Sequence, residues 1–261
     1  MQDQDERFQR KVIKLFEGAG VDKRYSIMNP KEVFTSTSFE EKNNIYISEV
    51  VHLAEESLKK SLLKAGLKAT DLDYIITVSC TGIMIPSLDA YLINSLKMKQ
   101  DIMRLPVTEM GCAAGVSGII YAKNFLKSNP NKRAVVVAVE APTATFQLED
   151  YSMTNIVSAA IFGDGASSVI LSSKKEDQGP KIIDEAMYHF YNATHMMGFK
   201  LVNTGLQMIL DKEVPKKISE HFPAIVHPFL EKNNLTINYI DHLIFHPGGT
   251  TIVQTVEDST G

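Results

Sequence analysis

The chain has 261 residues, 44% of them hydrophobic and 22% charged, enough to bury the core of one large globular domain or two closely packed ones. A net charge of -4 gives no electrostatic reason to expect nucleic acid or an anionic membrane, so small molecules or other proteins are the expected partners. Two cysteines, Cys80 and Cys112, are too few for a disulfide framework and point to a reducing, cytoplasmic setting.

The polar start MQDQDERFQRKV lacks the apolar core of a signal peptide, and no apolar run approaches the ~18–20 residues that span a bilayer. Residues 4–19 read as an amphipathic helix, with Phe8, Val12, Leu15 and Phe16 on one side. A longer helix over about 40–65 stops at Gly66, after which Thr70 and Asp71 open the next element. YIITVS (74–79) predicts a buried strand, and Pro86 and Ser87 introduce a helix over roughly 87–98. LPVTEM (105–110) predicts a strand running into a small-residue helix from about 113 to 127. AVVVAVE (134–140) has no polar alternation, so both of its faces should be covered.

A helix over 152–161 and the strand ASSVILSS (166–173) follow, then a polar turn, KKEDQGP (174–180), which is the clearest candidate boundary. Beyond it the expectation is a strand near 181–189, an unassigned stretch over 190–206, and a helix through 215–232 broken by Pro223 and Pro228. The strand HLIF (242–245) and a final helical start close the chain. Strands alternating with helices, several of them apolar on both faces, predict a layered α/β fold.

Three segments carry chemistry. Cys112 lies in TEMGCAAGVSG, where a strand turns into a helix. Gly111, Ala113, Ala114 and Gly115 leave it nearly uncovered, so the backbone can turn sharply and a substrate can approach. Free amides and the dipole at a helix start favour thiolate over thiol, and the same amides can hold a thioester oxyanion. A small cysteine simply packed at a helix start is the alternative. His246, in FHPGG (245–249), follows an apolar strand and is uncovered by its turn, which suits donation to a carbonyl oxygen or pairing with a thiolate. His189 and His195, in YHFYNATHMMG, read as a possible cavity wall, and no pair of histidines has the spacing of a metal site. In AIFGDGA (160–166) the glycines permit a tight turn and Asp164 can satisfy the turn's own amides; without a Lys and Ser/Thr it is not a phosphate loop.

Taken in order, GCAAGVSG around Cys112, NIVSAAIFGDGA (155–166), HPGG (246–249) and KRYSI (23–27) resemble the type III polyketide synthases, the chalcone/stilbene synthase family of thiolase-like condensing enzymes. The resemblance implies a thiolase-like layered αβαβα fold with an incomplete second half. A first half over 1–174 carries the nucleophile, and the beginning of a second half over 175–261 carries the histidine. It implies that Cys112 takes a starter acyl group from coenzyme A. It also implies that His246 hydrogen-bonds the malonyl-CoA thioester as carbon dioxide leaves and helps keep Cys112 ionised.

By the same resemblance, Phe162 is a gate between coenzyme A tunnel and cavity, with Met208 at the second gate position. Pro142, Thr145 and Cys80 line the cavity, and Phe199 stands where the plant enzymes often carry a small residue. Lys11 and Lys14 fall where basic residues meet the coenzyme A phosphates, and Ile85 where a side chain crosses a homodimer interface. Acyl-CoA and malonyl-CoA are the implied substrates, with no separate cofactor or metal. The family's catalytic asparagine, in a Gly-Asn-Met-Ser-like segment, is not found in this sequence, and the chain reads as cut at both ends relative to the family. A single-condensation relative of the ketoacyl synthase III or hydroxymethylglutaryl-CoA synthase type, or a non-catalytic acyl-binding partner of the same fold, are the alternatives.

Overall fold

A computed structural model describes residues 5–35 and 38–260, and its centre is a four-stranded sheet built from the most apolar stretches of the chain. The strands are β1 (Tyr74–Val78), β2 (Met103–Val107), β3 (Arg133–Glu140) and β4 (Gly165–Ser172), in the order β2-β1-β3-β4. β1 runs parallel to both β2 and β3, while β4 pairs antiparallel with β3. The three parallel strands therefore end together at one edge. Ligand sites form at such an edge, because each strand there gives way to a loop whose backbone groups are unpaired.

Both faces of the sheet are covered, as the unbroken apolar run of β3 requires. On one face lies α3 (Phe39–Ala65), which buries Tyr46, Val50, Ala54, Leu58 and Leu62 against Ile75, Val135 and Val137. That spacing of four keeps one stripe inward along the whole helix. Ser38 and Glu41 form a reciprocal capping box at its start, and Gly66, at φ 64, ends it in the left-handed conformation that glycine adopts without penalty. α4 (Leu88–Ser95) extends this layer. On the other face α5 (Ala114–Ser128) packs Ala122 and Leu126 onto Ile76, Val78 and Val136. The helix comes so close at Gly118 that an added Cβ would lie 2.8 Å from Val136 Cγ1.

The remaining elements flank this unit. α1 (Glu6–Gly18) packs against α6 (Met153–Ile161), and α7 (Val214–Lys232) against α8 (Thr250–Thr260). The expected helix over 4–19 is thus present, although its first residue lies outside the described residues. α2 (Pro30–Thr35) was not expected, yet Asn29-Pro30-Lys31-Glu32 carries its signal: Glu32 N donates to Asn29 Oδ1 at 3.0 Å and Asn29 N to Glu32 Oε2 at 2.8 Å.

Four expectations are corrected, and one unassigned stretch gains a structure. The second strand lies at Met103–Val107 rather than 105–110, because its ladder follows β1 from Tyr74 opposite Met103. Residues 181–189 and HLIF at 242–245 are not strands: no strand among the described residues runs beside them, and Ile183 and Ile244 are 77% and 98% exposed. Apolar sequence alone does not make a strand without a partner to complete its hydrogen bonds. The unassigned stretch 190–206 contains β5 (Met197–Val202), which forms a hairpin with β6 (Gly205–Leu210). α7 is continuous through Pro223 and Pro228; each proline removes one backbone donor, and packing on α8 holds the turns together.

Charge anchors the edge of the sheet opposite to the strand ends. Asp73 accepts Lys99 Nζ at 2.8 Å, Lys132 Nζ at 2.9 Å and Arg133 N at 3.0 Å. Burial opposes its charged form, but these donors outweigh it and hold the carboxyl at about 2, below its ordinary 3.8. A depressed carboxyl stabilises the fold fully above the unfolded value, and that stability is lost as pH falls from about 4 towards about 2. Asp73→Asn should therefore cost about 2 kcal/mol at pH 7 and little at pH 2, read by urea unfolding at both pH values. Equal destabilisation at both would contradict the ion-pair account.

Candidate active site

The three parallel strand ends bring together residues far apart in sequence. Cys80 follows β1, Glu140 ends β3, and Cys112 follows β2 through a tight 3-10 turn, Gly111–Ala113, that leads into α5. Gly111 at φ 54 lets the chain reverse there, so Cys112 sits at a helix start as expected and its side chain remains exposed.

Glu140 is the polar hub of this edge. Cys80 N donates to its two carboxylate oxygens at 3.0 and 3.1 Å, and Thr81 Oγ1 donates to Oε2 at 2.6 Å. Thr81 Oγ1 in turn accepts from Ala141 N at 2.8 Å, and Tyr46 OH and Ser79 Oγ share a hydrogen bond of 2.5 Å. Burial pushes the Glu140 carboxyl up despite these donors, and pushes the Tyr46 phenol up to about 12. Cys80, half-buried, has its thiol driven far up by burial and then by Glu140, with a smaller contribution from Cys112.

The same influences act on Cys112. Its thiol opens to solvent on one side, but protein packed around the other sides desolvates it, and Glu140 adds negative charge; together they raise it above the ordinary thiol value. Burial and the Glu140 charge thus act against the acidification expected from the helix start.

Gly82 lets this network close. A Cβ there would stand 2.2 Å from the ring of Tyr46, which is itself buried and bonded to Ser79. Gly82→Ala should cost about 3 kcal/mol by displacing that ring, measurable as a lowered midpoint in urea. An unchanged midpoint would mean the ring moves freely.

The other predicted residues form a wall beside this edge. Pro142 and Thr145 bound a 3-10 turn after β3; both are half-buried, and Thr145 Oγ1 donates to Pro142 O at 2.8 Å. Phe162 ends α6, half-buried. Asp164, just after it, does not serve its own turn as expected. It accepts Ile27 N at 2.7 Å and Thr143 N at 3.0 Å, and so ties KRYSI to the Pro142–Thr145 turn. Phe199 and Met208 are cross-strand partners in the β5–β6 hairpin, which α6 packs against. The hairpin is fastened by the buried Lys42, whose Nζ donates to Phe146 O at 2.7 Å and Thr204 O at 3.1 Å. Met208 and His195 both line an open pocket of about 330 Å³.

His246 lies in an exposed turn in which Gly248 N donates to His246 O at 2.9 Å. A Cβ on Gly249 would stand 3.6 Å from Ile161 Cδ1, so the HPGG turn rests on the end of α6 next to Phe162. Among the described residues no hydrogen bond joins His246 to Cys112. Lys11 and Lys14 are exposed on α1. Ile85 is 92% exposed, and Asp89, further along the chain, is fully buried and pairs with Arg104. No group of three His, Cys, Asp or Glu among the described residues could hold a metal, and no described helix is long and apolar enough to cross a membrane. Glu140 was missed from the sequence. An acid closing a buried apolar strand was the available signal, since such a charge must find donors at the strand end.

Comparison with known proteins adds the context. Residues 3–175 match the family model described as chalcone and stilbene synthases, N-terminal domain. The chain is 31% identical over 250 residues to the 1,3,6,8-tetrahydroxynaphthalene synthase of Streptomyces peucetius subsp. caesius, covering 94% of this chain and 66% of that protein. It is 29% identical over 234 residues to the phloroglucinol synthase of Pseudomonas fluorescens, covering 90% and 67% respectively. The crystal structure of 1,3,6,8-tetrahydroxynaphthalene synthase from Streptomyces coelicolor A3(2), a bacterial type III polyketide synthase, superposes with a TM-score of 0.93 at 27% identity. That superposition covers 99% of this chain and 73% of the other. The chain spans about two thirds of the length of these curated relatives.

Proposed function

The chain belongs to the chalcone and stilbene synthase family, the type III polyketide synthases, with their thiolase-like α/β fold, and from that premise we propose that it loads an acyl group from coenzyme A onto Cys112 and extends it with malonyl-CoA. The observation that supports this most is the placement of Cys112: an exposed thiol on a glycine-permitted turn, at the edge where three parallel strands end.

In this reading Cys112 Sγ attacks the thioester carbonyl and gives up its proton, and coenzyme A leaves as the protonated thiol. Malonyl-CoA then loses carbon dioxide to leave the enolate of acetyl-CoA. The enolate carbon attacks the acyl carbonyl held on Cys112, a carbon–carbon bond forms, and the carbon–sulfur bond to Cys112 breaks. His246 donates to the thioester oxygen on which the enolate charge develops. Phe162 and Met208 form the gate, with Cys80, Pro142, Thr145 and Phe199 shaping the cavity. Lys11 and Lys14 meet the coenzyme A phosphates through contacts that salt weakens. Ile85 meets a second copy of the chain in a homodimer. The reading divides the chain near residue 174 into a half that carries the nucleophile and one that carries the histidine.

Incubation of the protein with a series of acyl-CoAs, followed by intact mass and peptide mapping, tests the first step. One acyl adduct confined to the Cys112 peptide is expected. No adduct with any chain length from acetyl to dodecanoyl would overturn the loading reaction.

A further inference from the structure

We propose that Lys42 is a positioning residue for acyl selection: its buried amine holds the β5–β6 hairpin, and with it Phe199 and Met208, in one place, so that this wall discriminates between acyl groups of different length. The inference rests on the reading of the chain as an acyl-loading synthase, and it concerns a residue to which that reading assigns no role.

Lys42 stands where the fold calls for an apolar side chain. It opens the inward stripe of α3 that continues through Tyr46, Val50, Ala54, Leu58 and Leu62, and it is only 3% exposed. An amine is unfavourable at such a position, and burial pushes its pKa down. Among the described residues no carboxylate pairs with it. Its partners are two backbone carbonyls from distant parts of the chain. Phe146 O, just after the Pro142–Thr145 turn, accepts at 2.7 Å, and Thr204 O, in the hairpin turn, accepts at 3.1 Å.

The hairpin depends on such ties because it shares no ladder with the central sheet, and two strands alone are marginally stable. Phe39 N donates to Asn203 O at 3.3 Å, and Gln147 Nε2 to Leu206 O at 3.4 Å. Gln207 Nε2 donates to Asp150 Oδ2 at 3.0 Å, and Thr154 Oγ1 to Leu210 O at 3.4 Å. These donors are neutral. Lys42 supplies a charged one, and charge-assisted bonds are roughly twice as strong as neutral ones. It does so from a helix packed along the sheet, so the hairpin turn is referred to the rigid part of the fold. β6 packs on the Pro142–Thr145 turn and on α6, which ends at Phe162, and Phe199 and Met208 are cross-strand partners. A shift of the turn therefore carries both residues with it.

The test compares wild type with Lys42→Met, which keeps the length but removes the donor, and Lys42→Arg, which keeps a charged donor. Hydrogen exchange followed by mass reads the hairpin: peptides covering 197–210 should exchange at least about tenfold faster in Lys42→Met, with β1 and β3 as protected as in wild type. Single-turnover loading with acetyl- to dodecanoyl-CoA reads selection: the ratio between the fastest- and slowest-loading chain should narrow at least about fivefold in Lys42→Met. Lys42→Arg should restore both. A general loss of stability would lower all loading rates together and leave that ratio unchanged. Wild-type exchange over 197–210 in Lys42→Met, or faster exchange with an unchanged ratio, would overturn the proposal. If Lys42→Met does not fold, Lys42→Gln, which keeps one neutral donor, replaces it. If neither folds, Lys42 is needed for the fold as a whole and the proposal is rejected. Failure of wild type to load any acyl-CoA rejects the reading of Cys112 as acyl carrier. Loading with an unaltered preference in the variants rejects this inference alone.

Discussion

Replacing Cys112 with alanine should abolish the acyl adduct and lower polyketide formation from acyl-CoA and malonyl-CoA by about 10⁴-fold or more. The loss should be this complete because the other thiol cannot take over. Cys80 is half-buried, its amide is tied to Glu140, and burial and that carboxylate hold its thiol firmly protonated. Of the two cysteines Cys112 combines exposure with a place at a helix start, where backbone amides can hold a thioester oxyanion. The fold should be unaffected, since an exposed thiol contributes little packing. Liquid chromatography with mass detection of the products, alongside unfolding of the variant, checks both halves of the expectation. Undiminished product formation would remove Cys112 from the mechanism.

His246→Ala should slow malonyl-CoA decarboxylation by about 10²–10³-fold, the usual cost of removing one donor from a developing oxyanion. Loading of Cys112 should survive far better, because among the described residues no hydrogen bond couples His246 to the thiol. The two steps are separable: release of carbon dioxide from malonyl-CoA reads the first, and the mass of the acylated Cys112 peptide reads the second. A wild-type decarboxylation rate in the variant would exclude the histidine from enolate stabilisation. Equal losses in both steps would instead show that the HPGG turn supports the site mechanically, through its seat on the end of α6.

Much of the first part of the fold was legible in the sequence. The helix ending at Gly66, the strand at YIITVS, the doubly covered AVVVAVE and the turn carrying Cys112 all appear within a few residues of their expected places. They were legible because each is decided locally, by a stripe of apolar residues, a glycine that can adopt positive φ, or an unbroken β-branched run. Strands 181–189 and 242–245 were misread for the complementary reason. Their apolar residues meet the compositional rule, yet a strand exists only where another strand completes its hydrogen bonds.

By itself the sequence determined the chemistry on offer: an uncovered cysteine at a strand-to-helix turn, a histidine after an apolar segment, and motifs whose order resembles one enzyme family. Each is a property of a short contiguous stretch. The environment of that cysteine was decided only by the tertiary structure. Glu140 is 28 positions away along the chain, and only the strand order β2-β1-β3 brings it to the same sheet edge as Cys112 and onto the backbone of Cys80. A helix start acts over one turn and can be read locally, whereas burial and a neighbouring carboxylate act through space and are set by the fold.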